Sequence, residues 1–268
     1  MAQQKIKTAI IAGGGSLPKR LVQACLEQDR EPFVIGFKGQ DVQAQIDFEV
    51  GIASAGKIIK KMHQENVQDV IFVGSIKRPS FSELKPDLRG AKLIAKIGLK
   101  SLGDDALLKF ITKELEQEGF RVLGVHEVLE EILVPKGNLT KAKPDEQAQA
   151  DIERGLEVAS AIGALDVGQS VVVQQGLVIG VEAIEGTDSL LNRSGTLMKK
   201  GAGGVLVKLK KPQQDERLDL PTIGVQTVQN AIQSNVRGIA VKANETIVVD
   251  LDEMIELANK NNLFIVGL

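Results

Sequence analysis

Charged residues and glycines are concentrated between Val181 and Gly224, in the stretch VEAIEGTDSLLNRSGTLMKKGAGGVLVKLKKPQQDERLDLPTIG. Its acids are Glu182, Glu185, Asp188, Asp215 and Asp219. Its bases are Lys208, Lys210, Lys211 and Arg217. Carboxylates bind a hard divalent cation through oxygen, while Lys and Arg neutralise the phosphate oxygens that the metal does not reach. The composition therefore favours a site for a metal and a diphosphate, although each residue taken alone could be a solvated charge beside an apolar strand.

Asp219 has the most constrained position of these acids. It directly precedes Leu220-Pro221-Thr222-Ile223-Gly224, and the proline ring fixes the backbone next to it. The sequence therefore predicts an acid held on a stiff turn. The structural alternative is that Asp219 only caps this turn.

A second candidate site lies near the N-terminus, where the pattern indicates a strand at Lys7–Ala12, a glycine turn and a helix at 17–28. The turn consists of Gly13, Gly14, Gly15 and Ser16. Backbone N–H groups at such a helix start favour a phosphate. A dinucleotide fold is disfavoured, because Pro18 occupies the third glycine position and the second strand, 33–36, does not end in an acid.

The rest of the first half predicts a helix at 56–65, a third strand at 70–74, a helix at 106–118 and a fourth strand at 120–125. Lys77 and Arg78 follow the third strand, at the carboxyl end where open sheets bind ligands. They are candidate phosphate or substrate contacts, or alternatively solvent-facing loop charges. Asp104 and Asp105 could cap the following helix or bind a sugar or base.

Residues 87–100 predict a basic amphipathic helix. Its cations are Arg89, Lys92, Lys96 and Lys100, and its apolar residues are Leu93, Ile94 and Ile97. Such a helix suits weak peripheral contact with a membrane, or alternatively packs its apolar side on its own domain.

Residues 135–145 combine Pro, Gly and basic residues and predict a linker between two domains, 1–134 and 146–268. The second domain predicts a helix at 146–162, a hairpin of 170–174 and 177–183 about Gln175-Gly176, and a strand at 205–209. A strand pair is predicted at 239–241 and 246–249, flanked by helices at 227–234 and 252–259 and followed by a strand at 263–266. The predicted fold class is α/β, with an N-terminal Rossmann-like parallel-sheet domain followed by a C-terminal α+β domain.

Composition excludes several classes of protein. The formal net charge is -2 and the chain has no Trp or Tyr, so a basic nucleic-acid surface with stacking aromatics is not supported. Cys25 is the only cysteine and lies on the apolar side of a predicted helix, which indicates a core thiol. His63 and His126 are isolated and make a poor zinc site. No signal or membrane segment is evident, so we expect a cytoplasmic protein.

Six motifs together resemble the LpxI-type UDP-2,3-diacylglucosamine pyrophosphatases of lipid A synthesis. They are IAGGGSLP at 11–18, VGSIKRP at 73–79, GDDALL at 103–108, DIERGLEVASAIGALDVGQSVVVQ at 151–174, VEAIEGTD at 181–188 and KPQQDERLDLPTIG at 211–224. The resemblance spans nearly the whole chain and keeps the order of the motifs. It implies two domains that enclose the ligand, a requirement for Mg²⁺, and hydrolysis of the substrate to UMP and 2,3-diacylglucosamine 1-phosphate (lipid X).

The resemblance places the family's conspicuous DLPTIG aspartate at Asp219, and the residue types and their grouping give the other candidates their expected roles. The predicted catalytic residues are Asp219, Asp188 and Lys208, because diphosphate hydrolysis needs phosphoryl charge neutralised and a water positioned. The predicted metal ligands are Glu182, Glu185, Asp188, Asp215 and Asp219. The predicted substrate contacts are Gly13, Gly14, Gly15, Ser16, Lys77, Arg78, Asp104, Asp105, Thr187, Lys210, Lys211, Arg217 and Thr222.

A non-catalytic nucleotide-sugar or glycolipid binding module is the main alternative function, and metal-dependent turnover distinguishes it from an enzyme. The diacylated substrate implies weak peripheral contact with the cytoplasmic face of the inner membrane. The sequence leaves the acyl-chain preference, the attacked phosphorus and the formation of a homodimer open.

Overall fold

The computed structural model describes residues 5–76, 85–97 and 104–268. The chain divides into two compact units. The first contains Met1–Glu130 together with Asp215–Asp219, and the second contains Glu131–Gln214 and Leu220–Leu268. The division after Glu130 lies shortly before the predicted linker at 135–145. The short segment Asp215–Asp219, which the sequence pattern places with the second domain, belongs to the first unit.

The first unit is built on a five-stranded sheet in which every pairing is parallel. Its strands are β1 (Lys7–Ala12), β2 (Glu31–Phe37), β3 (Phe48–Val50), β4 (Asp69–Val73) and β5 (Arg121–Leu123), in the order β3-β2-β1-β4-β5. Its helices are α1 (Leu17–Glu27), α2 (Ala55–Gln64), α3 (Leu88–Ile97) and α4 (Asp104–Gln117). The predicted Rossmann-like parallel sheet is confirmed, with β3 as a strand that the sequence analysis does not predict.

The position of β1 explains the location of the glycine turn. Residues Ala9 to Ala12 are all buried, as expected for a central parallel strand covered on both faces. The strand order reverses between β1 and β4, and ligands of open α/β sheets bind at such a switch point, outside the carboxyl ends of the strands. Gly13 follows directly after β1 at this point.

The second unit contains a six-stranded mixed sheet and a separate parallel strand pair. In chain order its elements are β6 (Gly137–Asn138), α5 (Glu146–Ala164), β7 (Ser170–Gln174), β8 (Leu177–Val181), α6 (Gly186–Gly195), β9 (Gly204–Lys208), β10 (Thr222–Gly224), α7 (Val225–Gln233), β11 (Val236–Val241), β12 (Ile247–Val249), α8 (Leu251–Lys260) and β13 (Phe264–Gly267). The large sheet has the order β6-β13-β11-β9-β7-β8, and the separate pair is β10-β12.

Helices cover both faces of the larger sheet. Val205 and Val207 of β9 pack in one core with Ile152 of α5, whereas Leu206 packs in another core with Leu190 of α6. Side chains alternate between the faces along a strand, so Lys208, two residues after Leu206, points to the α6 side. The pleat of β9 therefore directs this lysine toward α6.

One predicted pairing is wrong. The sequence suggests that the strands near Ile239 and Ile247 pair with each other, but β11 pairs with β9 and β13, and β12 pairs with β10. Two apolar runs close in sequence resemble a hairpin, yet periodicity carries no information about the partner of a strand. The hairpin of β7 and β8 is confirmed, and its turn residues Gln175 and Gly176 both have positive φ.

No helix within the described ranges has the length and hydrophobicity needed to traverse a bilayer.

Candidate active site

A polar pocket of about 250 Å³ lies in the second unit where several elements begin or end. It is lined by Glu185, Gly186, Thr187, Asp188, Lys208, Thr222 and Thr227. Lys208 ends β9, Gly186 begins α6, Thr222 begins β10, and Thr227 lies in the first turn of α7. The fold thus brings five of the predicted site residues together in one pocket. They are Glu185, Thr187, Asp188, Lys208 and Thr222.

Lys208 is the cation of this pocket and is only 7% exposed. Its Nζ donates to Oγ1 of Thr187 at 3.0 Å and to the backbone carbonyl of Thr222 at 3.0 Å. Because a buried ammonium is stable only with nearby acceptors, these contacts fix both the position and the direction of the charge. The lysine is therefore oriented before any ligand binds.

Thr187 connects Lys208 to a buried carboxylate. Its hydroxyl lies 3.2 Å from Oε1 of Glu182, to which it donates, and 3.2 Å from the hydroxyl of Ser170. Glu182 is 6% exposed, and its Oε2 has no hydrogen-bond partner among the described residues. A buried carboxylate oxygen without a partner is costly and usually marks a site that a ligand, ion or water completes.

The part of the pocket formed by Lys208 and the start of α6 favours an anion. The first N–H groups of α6 carry the positive end of the helix dipole, and the ammonium of Lys208 lies beside them. The volume of about 250 Å³ is below the roughly 300–1,000 Å³ typical of pockets for drug-sized ligands. The pocket therefore suits a phosphate-sized group of a larger ligand.

Two further acids border the pocket. Glu185 accepts a hydrogen bond from Arg193 at 2.7 Å, and this contact is the main reason that the pKa of Glu185 lies below its usual value. Asp188 lies in the first turn of α6 and is exposed. Both carboxylates line the pocket, whereas Glu182 is connected to it through the hydroxyl of Thr187.

Within residues 5–76, 85–97 and 104–268, no group of three or more Asp, Glu, His or Cys side chains is placed to hold a metal. A dedicated protein cage for a cation is thus not formed there. Mg²⁺, however, is commonly held by one or two carboxylates together with substrate phosphates. The open Oε2 of Glu182 and the exposed carboxylate of Asp188 fit that mode of binding.

Asp215 and Asp219 lie on a turn that belongs to the first unit. Arg217 donates to both carboxylate oxygens of Asp215 and, from Nη1, to Glu116 at 2.8 Å. The hydrogen bond from Arg217 is the main cause of a lowered pKa of Asp215, and the two carboxylates raise the pKa of Arg217. Asp219 is exposed, and its backbone N–H donates to the carbonyl of Asp215 at 3.2 Å.

The glycine turn is held by its own backbone. The N–H groups of Gly13, Gly14 and Gly15 donate to the carbonyls of Val73, Ser75 and Asp41 at 2.8, 2.7 and 3.0 Å. A Cβ on Gly13 would lie 2.5 Å from the carbonyl oxygen of Ser75, so two loops meet here in backbone contact. The side chain of Ser16 makes no capping hydrogen bond to α1. The fold itself therefore requires glycine in this turn, whether or not a phosphate binds there.

The remaining predicted substrate contacts are dispersed. Lys210 lies 3.6 Å from Glu245, and Lys211 forms a 2.8 Å ion pair with Asp166. Asp104 and Asp105 are the first two residues of α4, and their side chains are not described. Lys77 and Arg78 lie outside the described residues.

Sequence reasoning missed Ser170 and Thr227. Thr227 is predicted only to open a helix, and its hydroxyl does accept from the N–H of Gly224 at 3.3 Å, in addition to lining the pocket. Ser170 lies opposite Lys208 in the register of β7 and β9. Only strand pairing reveals that neighbour, since 38 residues separate the two in sequence.

Comparisons with known proteins agree with this two-part architecture. A family model described as the LpxI N-terminal domain matches residues 7–132, and one described as the LpxI C-terminal domain matches residues 135–266. The chain is also 41% identical over 271 residues to the UDP-2,3-diacylglucosamine pyrophosphatase LpxI of Caulobacter vibrioides, a match that covers 97% of each chain. The chain therefore belongs to the LpxI family.

Proposed function

We propose that the protein hydrolyses UDP-2,3-diacylglucosamine to UMP and 2,3-diacylglucosamine 1-phosphate (lipid X), a step of lipid A biosynthesis, and that it requires Mg²⁺. The pocket around Lys208 is the observation that carries this proposal. It combines a buried, oriented ammonium with a helix N-terminus and nearby carboxylates, the groups that a diphosphate requires. The relative from Caulobacter vibrioides, which carries this activity in its name, supports the choice of substrate.

Lys208 and the N-terminus of α6 would bind non-bridging oxygens of the diphosphate. Charge on the transferring phosphoryl group is then neutralised by donors that are already in place, so little reorganisation is needed in the transition state. The hydroxyl of Thr187, which accepts from Lys208 and donates to Glu182, would keep the ammonium directed at the same phosphoryl group. These three residues form one hydrogen-bonded unit.

Asp219 would accept a proton from the attacking water or hold that water in line with the leaving oxygen. In the balanced reaction, the water oxygen bonds to one phosphorus, the bridging P–O bond breaks, and one phosphate leaves as UMP or as lipid X. Asp219 precedes the pocket residue Thr222 by three positions.

Mg²⁺ would supply positive charge to the phosphate oxygens that Lys208 does not reach. Asp188, which lines the pocket and is exposed, and the buried Glu182, whose Oε2 has no hydrogen-bond partner among the described residues, would hold it. Asp215 is a weaker candidate because Arg217 already engages both of its carboxylate oxygens.

The glycine turn would receive part of the uridine nucleotide at the switch point of the first sheet. Because the N–H groups of the three glycines are used within the fold, we expect the hydroxyl of Ser16, which makes no capping hydrogen bond, to donate to the nucleotide. The diacylated substrate would be collected from the cytoplasmic face of a membrane, since two acyl chains keep it out of water.

Turnover by the purified full chain tests the proposal. The protein is incubated with UDP-2,3-diacylglucosamine in detergent, with Mg²⁺ or with EDTA, and the products are separated by chromatography. We expect UMP and lipid X in equal amounts with Mg²⁺ and a loss of both with EDTA. Saturable binding of the substrate without any UMP would instead assign the chain as a glycolipid-binding module. Hydrolysis in ¹⁸O-labelled water identifies the attacked phosphorus from the product that carries the label.

A further inference from the structure

Helix α3 (Leu88–Ile97) is anchored to the first unit by one face only. Gly90 is buried, and a Cβ on it would lie 2.0 Å from the carbonyl oxygen of Ala53, just before α2. Leu93, on the same side of the helix, is half-buried. The predicted packing of the apolar side on its own domain is therefore found in part, at Gly90 and Leu93.

The opposite face of α3 carries a second apolar stripe. Leu88 is 87% exposed and Ile94 is 38% exposed, and Ala91 and Ala95 between and beside them are also exposed. The spacing of three and four residues places these four side chains along one side of the helix. Soluble proteins do expose single apolar residues, but a continuous stripe on one helix indicates a contact surface.

Cations border this stripe. Lys92 and Lys96 are exposed at successive turns, and Lys85 is exposed just before the helix. Lys96 forms an ion pair with Glu114 of α4 at 3.0 Å, and Arg89 pairs with Glu118, the residue directly after α4. The electrostatic attraction to an anionic partner therefore comes mainly from Lys92 and Lys85.

The acid nearest the start of the helix is turned to the backbone. Asp87 accepts hydrogen bonds from the N–H groups of Gly90 at 2.7 Å and Lys57 at 3.0 Å. Its charge thus fixes the first turn of α3 against α2. Lys57 and Lys60 of α2 are exposed and add positive charge near this end of α3.

We infer that the outward face of α3, comprising Leu88, Ala91, Ile94 and Ala95 with Lys92 and the preceding Lys85, docks on a bilayer that contains anionic lipid. Apolar side chains flanked by lysines match the hydrocarbon boundary and the anionic headgroups of such a surface. An acidic protein surface would pair with the lysines but would not bury the exposed side chain of Leu88. The inference rests on the proposed function, because a diacylated substrate resides in that bilayer.

Vesicle co-sedimentation of the full chain tests the docking independently of catalysis. Vesicles of phosphatidylcholine are compared with vesicles that also contain phosphatidylglycerol, and we expect binding to the second kind only. Lys85→Gln with Lys92→Gln should weaken that binding by about fivefold per lysine. The double variant Leu88→Ser with Ile94→Ser should also bind these vesicles more weakly. It should not change how binding depends on the phosphatidylglycerol content of the vesicles. Lys199→Gln with Lys200→Gln, the matched control on the second unit, should bind as the parent does.

Three results would overturn the inference: no binding of the parent to either vesicle, equal binding of the α3 variants and the parent, or an equal loss in the Lys199 and Lys200 control. An activity assay then distinguishes a failure of the membrane-docking inference from a failure of the proposed function. We expect the α3 variants to hydrolyse detergent-solubilised substrate at the parental rate and vesicle-embedded substrate more slowly. A chain that binds vesicles but releases no UMP would refute the function and leave the docking surface intact.

Discussion

Nζ of Lys208 lies 3.0 Å from Oγ1 of Thr187, and this contact orders the candidate pocket. A hydroxyl has a single proton, so a threonine that accepts from an ammonium can direct that proton to another acceptor. Oε1 of Glu182 lies 3.2 Å away and takes this role. Lys208, Thr187 and Glu182 thus form a chain in which each residue fixes the orientation of the next.

The first prediction concerns this chain of contacts. Lys208→Met should lower kcat/KM by roughly a hundredfold or more, because it removes a positioned charge from the phosphoryl group. Thr187→Val should cost about tenfold, in keeping with the loss of a hydrogen bond worth about 1.5 kcal/mol. Steady-state kinetics in detergent measure both. Thr196→Val, at the other end of α6, is the matched control and should retain parental kinetics. Parental activity of Lys208→Met would exclude the pocket as the active site.

The second prediction concerns the glycine turn. Gly14→Val should impair folding as well as binding, because a Cβ on Gly14 would lie 3.3 Å from the carbonyl oxygen of Asp41. Ser16→Ala should fold normally and weaken UMP binding by about fivefold, the effect of one hydrogen bond of about 1 kcal/mol. Thermal unfolding and isothermal titration with UMP separate the two effects. Unchanged UMP affinity of Ser16→Ala would make the turn purely structural.

Arg217 is the subject of the third prediction. Its guanidinium is already shared between Asp215 and Glu116, so we expect it to anchor the turn that carries Asp219. Arg217→Gln and Glu116→Gln should then both lower kcat, and the double variant should lose no more than the more impaired single variant. If Arg217 instead binds the substrate, Arg217→Gln raises KM while Glu116→Gln leaves the kinetics unchanged.

The fourth prediction concerns stability in acid. Asp69 is buried, which alone would raise its pKa, but hydrogen bonds from Arg121 at 2.7 and 2.8 Å and from Arg30 at 2.6 Å outweigh burial and lower the pKa below 3.8. A carboxyl group with a lowered folded-state pKa stabilises the fold fully above its unfolded pKa. That contribution is lost as the pH falls through the folded-state pKa.

Asp69→Asn should therefore destabilise the protein by about 2–3 kcal/mol at pH 7, a figure reduced for the exposure of Arg121. The difference from the parent should shrink as the pH is lowered below 3.8, the ordinary pKa of the group. Urea unfolding at several pH values measures it. A difference that stays constant into strong acid would show that lost packing, and not ionisation, causes the effect.

The sequence predicts the parts of this structure that depend on local pattern. The strand, glycine turn and helix at the N-terminus and the hairpin at Gln175-Gly176 follow from periodicity and turn residues. The convergence of Glu185, Thr187, Asp188, Lys208 and Thr222 on one pocket agrees with the clustering of charge in that stretch.

Long-range pairing accounts for what the sequence does not predict. The pairing of β12 with β10, and the position of Ser170 opposite Lys208, depend on which strands become neighbours. The hydrogen bonds of the three glycine N–H groups depend on loops that arrive from Asp41, Val73 and Ser75. In the first unit, the segment Asp215–Asp219 packs Leu218 against the hydrophobic core and pairs Arg217 with Glu116, about a hundred residues earlier. No periodicity within a short window contains this information.

The last prediction is that Asp219 is essential to hydrolysis. Its carboxylate is exposed, while its backbone is held by the N–H contact to Asp215 and by Pro221 two residues later. An exposed carboxylate whose Cα is held in place is suited to position a water. Removal of a catalytic base or water-positioning group lowers kcat without abolishing substrate binding.

Asp219→Ala should therefore lower kcat by roughly a thousandfold while the melting temperature and the affinity for UMP stay close to those of the parent. Asp219→Asn should show the same loss, because the amide keeps the size of the side chain but cannot accept the proton. Glu216→Ala, which removes an exposed acid from the same turn, is the matched control and should retain parental kcat. If Asp219→Ala instead lowers the melting temperature and turns over substrate normally at low temperature, the residue stabilises the turn and has no catalytic role.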